Sequence, residues 1–458
     1  MHLRRRGGYN VPLAGRPSAE IEALPEPAAL YLPLASRRFR FSEVLAADGE
    51  AVEAGWVLAR DPGHFGVPLL APRAGTIRLG AAEGHIVLEA LKAPGGARPG
   101  EEIADKRRRL LDLGAWQHFE DAHTGALPDP AGEPAGVIVS TVRLEPFGVR
   151  GDAILRNNLD AFGRGLEQLQ SLLQYQPIYL VMPLLESALA EEVRESLRGH
   201  AFLQIVTVPL VYPMDGFGLL ARRLGLKTDA EHRVWAVRTE GVLAADRALG
   251  ASRPVLERVI AIGGPAAKQP RHLRAVAGYP IEAIRSGEAA EGARLIADGV
   301  LTGAAVEASA RGLDAECTGL VALEEPKPRR QLLGWIRPGW GRQSYSRTFL
   351  SALRRTFPEA IPAAMRGEAR ACISCGQCEE VCPSRLMPHI IHKYLYAGAI
   401  DDAERLGVSR CTRCGLCAYV CPSKIELMEE FARAEEQLAE ERRHAAEAAA
   451  AAGREAAQ

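Results

Sequence analysis

The chain has 458 residues, too many for a single hydrophobic core, and it sits near three domains by length alone. Hydrophobic residues make up 47% and charged residues 25%, which excludes a disordered, collagenous or low-complexity chain. With 56 Lys and Arg against 57 Asp and Glu the net charge is −1, so nothing global attracts nucleic acid or an anionic membrane, and any binding has to be local.

The start carries Arg4, Arg5 and Arg6 with no apolar stretch behind them, which is not a secretory signal. The longest apolar runs, residues 177–185 and 205–214, contain prolines and fall short of the roughly 18 to 20 residues that cross a bilayer. Both features predict a cytosolic chain. From about residue 40 to 91, short alternating apolar segments broken by Gly and Pro predict small β-strands. The segments around Ala54-Gly55 and Ala74-Gly75 resemble the barrel-sandwich hybrid of biotinyl and lipoyl domains. Those domains carry their cofactor on a lysine at the hairpin tip, and here the tip reads Asp61-Pro-Gly-His-Phe-Gly66 without one. A swinging arm is not expected, and Lys92 reads as an ordinary strand end. The N-terminal β domain is placed at 1–125.

Between 126 and 229 the pattern becomes β-α alternation. Strands are predicted at 137–142, 178–182 and 202–208, with helices at 157–173 and 185–197, giving a parallel, Rossmann-like α/β unit. No Gly-x-Gly-x-x-Gly follows the first strand and no P-loop occurs; Gly163-Arg-Gly165 lies inside a helix and reads as helix packing. Residues 230–330 predict a small α+β domain of the β-grasp kind, with strands near 255–264 and 294–299 and a helix near 242–249. A connecting segment follows at 331–365, whose Trp335, Trp340 and Tyr345 are expected to dock on a neighbour. Residues 429–458 read as a solvated helix fraying to disorder.

Eight of the nine cysteines fall between 372 and 421. They form two runs, Cys372-x2-Cys375-x2-Cys378-x3-Cys382-Pro and Cys411-x2-Cys414-x2-Cys417-x3-Cys421-Pro, the pattern of two-cluster ferredoxins in which the fourth cysteine ligates the other cluster. Two 4Fe-4S clusters are therefore expected, one on Cys372, Cys375, Cys378 and Cys421, the other on Cys411, Cys414, Cys417 and Cys382. Gly376 and Gly415 occupy matched positions where a side chain would crowd the cluster or the backbone must kink. Structural zinc is a poor fit to duplicated four-cysteine runs. Cys317 reads as a buried hydrophobe. The 28 residues between Cys382 and Cys411 hold helical patterns at 388–397 and 400–406, which predicts an α-helical dicluster domain at 366–428. His389, Arg410, Arg413 and Lys424 lie beside the cysteines and either tune the clusters, dock an acidic partner or form a solvated rim.

In module order and in short signatures the chain resembles the A-type subunits of the sodium-translocating NADH:quinone reductases (Nqr) and the related C-type subunits of the Rnf ferredoxin:NAD oxidoreductases. The signatures are Pro12-Leu-Ala-Gly15, Tyr212-Pro-Met-Asp-Gly216, residues 259–265 and 269–274, Leu301-Thr-Gly303, Leu333-Gly-Trp335 and Ser346-Arg-Thr-Phe349. The resemblance implies a multidomain α/β and α+β chain. Its parts would be a barrel-sandwich hybrid, a core like the flavin subunit of complex I, an SLBB-like β-grasp domain and an added dicluster domain. It further implies a peripheral, cytoplasmic-side iron-sulfur subunit attached to integral membrane subunits through protein contacts, with an electron-donor or acceptor protein as a further partner. Residues 339–346 and the rim around His389 and Arg413 would be its docking segments. Glu145-Pro-Phe147 and Asp152 match neighbouring parts of the flavin fold, but the Gly-Gly-Ala-Gly-Phe-Pro loop is absent, and residues 148–155 offer only Gly148 and Gly151. FMN and NADH binding are accordingly not expected here. The alternatives are an FMN-dependent NADH-oxidising subunit and a soluble ferredoxin-like carrier.

Overall fold

A computed structural model describes residues 1–93, 105–173, 176–184, 188–227, 232–325 and 369–456. The connecting segment 331–365, with Trp335, Trp340, Tyr345 and the docking stretch 339–346, lies outside the described residues. Among the described residues the architecture is mixed α/β with four sheets.

Two small sheets come from residues 30–89. One pairs Glu43–Val44, Val57–Asp61 and Val67–Leu70; the other orders Leu30–Pro33, His85–Glu89, Gly75–Leu79 and Ala51–Val52. Alternation decides which side chains turn inward: Leu30 and Leu32 are fully buried, Tyr31 and Pro33 only partly. The hairpin between Val57–Asp61 and Val67–Leu70 is closed by Asp61, whose carboxylate accepts from Gly63 N at 2.9 Å and Arg40 N at 2.7 Å.

The central sheet runs in the order Leu203–Val208, Ile178–Pro183, Gly136–Ser140, Val234–Arg238, Phe119–Asp121. The first four strands are parallel and the last antiparallel. Every residue of Gly136–Ser140 is buried, as expected for a parallel strand covered on both faces. The helix Leu159–Leu172 buries Phe162, Leu166, Leu169 and Leu172 at helical spacing. A Cβ on Gly165 would collide with the Val242 carbonyl, so this glycine serves helix packing. Because the chain leaves Gly136–Ser140 toward one edge and later returns to pair on its other side, a crevice opens at the carboxyl ends of these strands.

The third unit is a six-stranded mixed sheet ordered Ile21–Ala23, Arg271–Val276, Glu257–Gly263, Gly319–Leu323, Arg294–Ala297, Ala304–Ala305, with the helix Ile281–Glu288. Three segments fall in units other than those the sequence boundaries give them. Ile21–Ala23 crosses from the N-terminal region into this sheet. Phe119–Asp121 joins the central sheet, not the N-terminal β domain. Val234–Arg238 and the helix Thr239–Ala245 belong to the α/β unit, not to the domain placed at 230–330. Each is short and finds its partner far along the chain, a pairing that local periodicity does not encode.

The cysteine module is helical: Gln377–Val381, Pro388–Tyr396, Ile400–Arg405, Leu416–Val420 and Leu427–Ala456. The last helix is helical as expected and exposed over 439–445, but its first turns are packed, not solvated. Phe431, Ala434 and Leu438 are buried against Leu386, Ile391 and Val408, so its first three turns complete the module's core.

The N-terminal arm ties the units together. Leu3 N donates to Thr207 O at 2.9 Å in the central sheet, and Gly8 N to Val381 O at 2.8 Å in the cysteine module.

Candidate iron-sulfur centre and the adjoining cavity

Each cysteine run folds as a turn followed by a short helix, and the two copies match residue for residue. Ser374 and Arg413 have φ of 54° and 50°, Gly376 and Gly415 of 76° and 75°, Arg385 and Lys424 both of 56°. The left-handed glycine reverses the chain so that the third cysteine enters the helix at the turn's inner side. Backbone amides aim at the first sulfur of each run, Ser374 N to Cys372 Sγ at 3.4 Å and Arg413 N to Cys411 Sγ at 3.3 Å. Leu386 N likewise donates to Cys382 Sγ at 3.3 Å.

The structure brings Cys372, Cys375 and Cys378 together with Cys421 around one cavity, walled by Ile373, Ile425 and Leu427. Cys382 stands with the second run, within electrostatic reach of Cys411, Cys414 and Cys417. Each grouping thus includes one cysteine of the opposite run. Among the described residues no three His, Cys, Asp or Glu side chains are placed to hold a single metal ion. Four thiols set around a hollow suit a cube, whose corners each take one sulfur, better than one tetrahedral ion. The soft donor set, apolar walls and amide donors fit a 4Fe-4S group. Burial pushes the thiols up, Cys378 and Cys414 to about 11 and Cys411 to about 12. Free of metal they hold their protons, and ligation has to release them.

The two runs differ in what covers them. Cys375 is exposed, and a Cβ on Gly376 would meet nothing within 4 Å. The second run is pressed against the scaffold: Leu416 is fully buried, and a Cβ on Gly415 would stand 2.7 Å from the Leu301 carbonyl. Crowding at that glycine therefore comes from the scaffold. Tyr212 donates its phenol to the Cys414 carbonyl at 2.7 Å, and its ring packs with Val381, Leu416 and Val420. Tyr9 stacks on Tyr419 with centroids 6.2 Å apart.

Of the polar residues flanking the cysteines, Arg413 is engaged with Glu435 at 2.6 Å. His389 Nδ1 lies 4.0 Å from Cys378 Sγ and 3.8 Å from the Glu379 carboxylate. Arg410 is exposed beside Arg222. Cys317 is buried far from the module in sequence and donates to Gly319 O at 3.4 Å.

Next to this interface lies a cavity of about 530 Å³ in the crevice at the carboxyl ends of Gly136–Ser140 and Ile178–Pro183. Leu144, Phe147, Leu155, Met182 and Val193 give it apolar walls; Arg16, Arg143, Glu145, Arg150 and Asp152 are its charged groups. Arg150 is paired with Asp152. Burial raises the Glu145 carboxyl, which accepts from Leu301 N at 3.0 Å. Tyr212 also lines the cavity, so one phenol touches both the hollow and the second cysteine run. Nothing in the local sequence around Tyr212 or Leu301 signals this contact beyond their place in family-like stretches.

Residues 364–422 match the 4Fe-4S dicluster domain family, which supports iron-sulfur ligation by this module. The chain is 26% identical over 432 residues to the A-type subunit of the Na(+)-translocating NADH-quinone reductase of Neisseria meningitidis serogroup B, covering 88% of this chain and 92% of that one. It is 26% identical over 424 residues to the protein of the same name from Alcanivorax borkumensis, with the same shares covered. Among solved structures, an air-oxidised NAD+-reducing [NiFe]-hydrogenase matches 48% of this chain and 47% of its own at 12% identity and a TM-score of 0.36. Among the described residues no helix is long and apolar enough to cross a membrane.

Proposed function

We propose that this chain is a peripheral iron-sulfur subunit of a membrane-bound, ion-translocating oxidoreductase of the Nqr or Rnf type, relaying single electrons through two 4Fe-4S clusters. The observation that carries this reading is the crossed grouping of the cysteines, Cys421 with the first run and Cys382 with the second. When bound, the clusters supply one-electron chemistry; the chain holds them, excludes water and places them against a scaffold. The dicluster match and the similarity to A-type Nqr subunits across most of the chain support a role in an NADH-oxidising complex. Attachment to integral membrane subunits on the cytoplasmic side extends that similarity.

Purification of the complex from its native membrane tests the reading. The chain is expected to co-purify with integral subunits and to carry two reducible clusters by electron paramagnetic resonance. A chain found alone and soluble in the native lysate would favour the free-carrier reading instead.

A second reading, an FMN-dependent NADH-oxidising subunit, is favoured by the cavity at the strand ends. Against it stand Gly148 and Gly151, neither of which offers a phosphate cradle. A Cβ on Gly151 would strike the Thr141 carbonyl oxygen, and Gly148 packs on the Arg143 side chain. Stoichiometric flavin released on denaturation of the purified chain would decide for this second reading.

A further inference from the structure

The rim around Cys382 and Cys411 is bordered by arginines from four separate segments. Arg4 and Arg6 are on the N-terminal arm, both exposed or nearly so, and Arg222 and Arg223 end the helix Phe217–Arg223. Arg385 follows the first run and Arg410 precedes the second. Two hydrogen bonds and shared electrostatic reach join them into one patch. Arg222 Nη2 donates to Ser384 Oγ at 3.0 Å and lies within electrostatic reach of Arg410, Cys411 and Cys382. Arg223 donates to Arg4 O at 2.5 Å and lies within reach of Arg6 and Arg385.

No ion pair joins any of these six guanidinium groups to a carboxylate of the described residues. The carboxylates at the edge of the patch are already engaged, Glu435 by Arg413 and Glu404 by Arg442. The rim of the first run differs: exposed Glu379, Glu380 and Glu426 mix there with Arg370 and Lys393. Of the carboxylates, Glu435 reaches Arg222, so six guanidinium groups gather with positive charge in excess; such a surface is unfavourable for an isolated chain, and the cost is relieved when an anionic surface arrives. All six are arginines, whose planar fork pairs with carboxylates through two hydrogen bonds. An anionic bilayer would also be met by a cluster of this size, so position has to decide. Their concentration over Cys382 and Cys411 selects a partner that has to approach the metal centre.

We propose that this arginine patch docks the carboxylate-rich face of an acidic one-electron carrier protein, bringing it against the second cysteine set. The proposal rests on the electron-transfer reading and adds the partner's chemistry to it. One electron would pass between carrier and chain, the loss on one equal to the gain on the other, with no bond or proton exchanged.

The test uses the full, cluster-loaded chain and an oxidised plant-type 2Fe-2S ferredoxin as the acidic probe, with binding measured by calorimetry. Affinity is expected to fall by about tenfold or more between low and physiological salt. It is expected to fall by a further tenfold or so in an Arg6→Glu/Arg385→Glu double variant, while a Glu379→Lys variant binds as tightly as the parent. Iron content and the dithionite-reduced resonance signals are expected to stay the same in all three. Salt-independent binding, no binding, or equal binding by parent and double variant overturns the proposal. So does loss of retention on phosphatidylglycerol vesicles with ferredoxin binding intact, which would assign the patch to a membrane. An Arg6→Gln/Arg385→Gln variant gives the same comparison if charge reversal impairs folding. Absence of iron from the parent chain would instead sink the electron-transfer reading itself.

Discussion

The two cysteine runs share a sequence pattern and nearly the same backbone angles, yet they occupy opposite environments. The first looks outward, with Cys375 exposed and open space at Gly376. The second faces the scaffold, its Cys414 carbonyl held by Tyr212 and its Gly415 pressed on Leu301. A duplicated motif fixes ligation, whereas the surface it is folded against sets solvent access and hydrogen bonding, the quantities that tune a cluster's potential. Two chemically equal ligand sets are thereby made inequivalent.

The largest expected effects test whether the runs exchange their fourth ligands. The intact chain should hold about eight irons and eight sulfides, as two cubes require. Cys421→Ser should remove the resonance signal of the outward cluster and Cys382→Ser that of the scaffold-facing one, each leaving about four irons. If Cys421→Ser instead damages only the cluster of its own run, the crossed grouping is wrong.

Glycine substitutions separate the environments next. Both Gly376→Ala and Gly415→Ala put a Cβ on left-handed backbone, at about 1 kcal/mol each. Only Gly415→Ala also drives that Cβ into a backbone carbonyl, adding about 1 to 3 kcal/mol and loosening the module from the scaffold. Limited proteolysis and denaturant titration should show the second variant as clearly the weaker; equal behaviour would mean the docked interface does not persist in solution.

Tyr212→Phe removes one hydrogen bond to the second run and should lower stability by about 1 kcal/mol. The resonance of the scaffold-facing cluster should shift while the other stays fixed, and a shift in both would count against the asymmetry. The smallest effect belongs to Cys317→Ser, which should leave iron content unchanged, because this buried thiol sits in the six-stranded-sheet unit.

Much of this is legible in the sequence. Long periodic segments give their positions away: the helix expected at 157–173 is Leu159–Leu172, and the strand expected at 202–208 is Leu203–Val208. Cysteine spacing locates both ligand runs because ligation geometry is written locally. The interface is hidden, since Tyr212, Leu301 and Gly8 meet the module across long stretches of chain and carry no spacing rule. The final helix departs from expectation because its composition masks a stripe. Alanine and glutamate dominate it, and Leu427, Phe431, Ala434 and Leu438 mark the buried side. Gly415 shows a mixed case, its backbone turn readable from the motif but its crowding neighbour readable only from the fold.

The N-terminal arm carries a consequence for how the molecule is made. It precedes in the chain every surface it joins: Thr207, the strand Arg271–Val276 and Val381. During synthesis its contacts to the module cannot close until residue 381 has left the ribosome, so the arm acts as a strap fastened late. Pairings so distant in sequence form slowly, because the intervening loop has to be closed first. The stacking of Tyr9 on Tyr419 closes later still, after the second cysteine run has been made, so the strap lies across the module only once both runs are present.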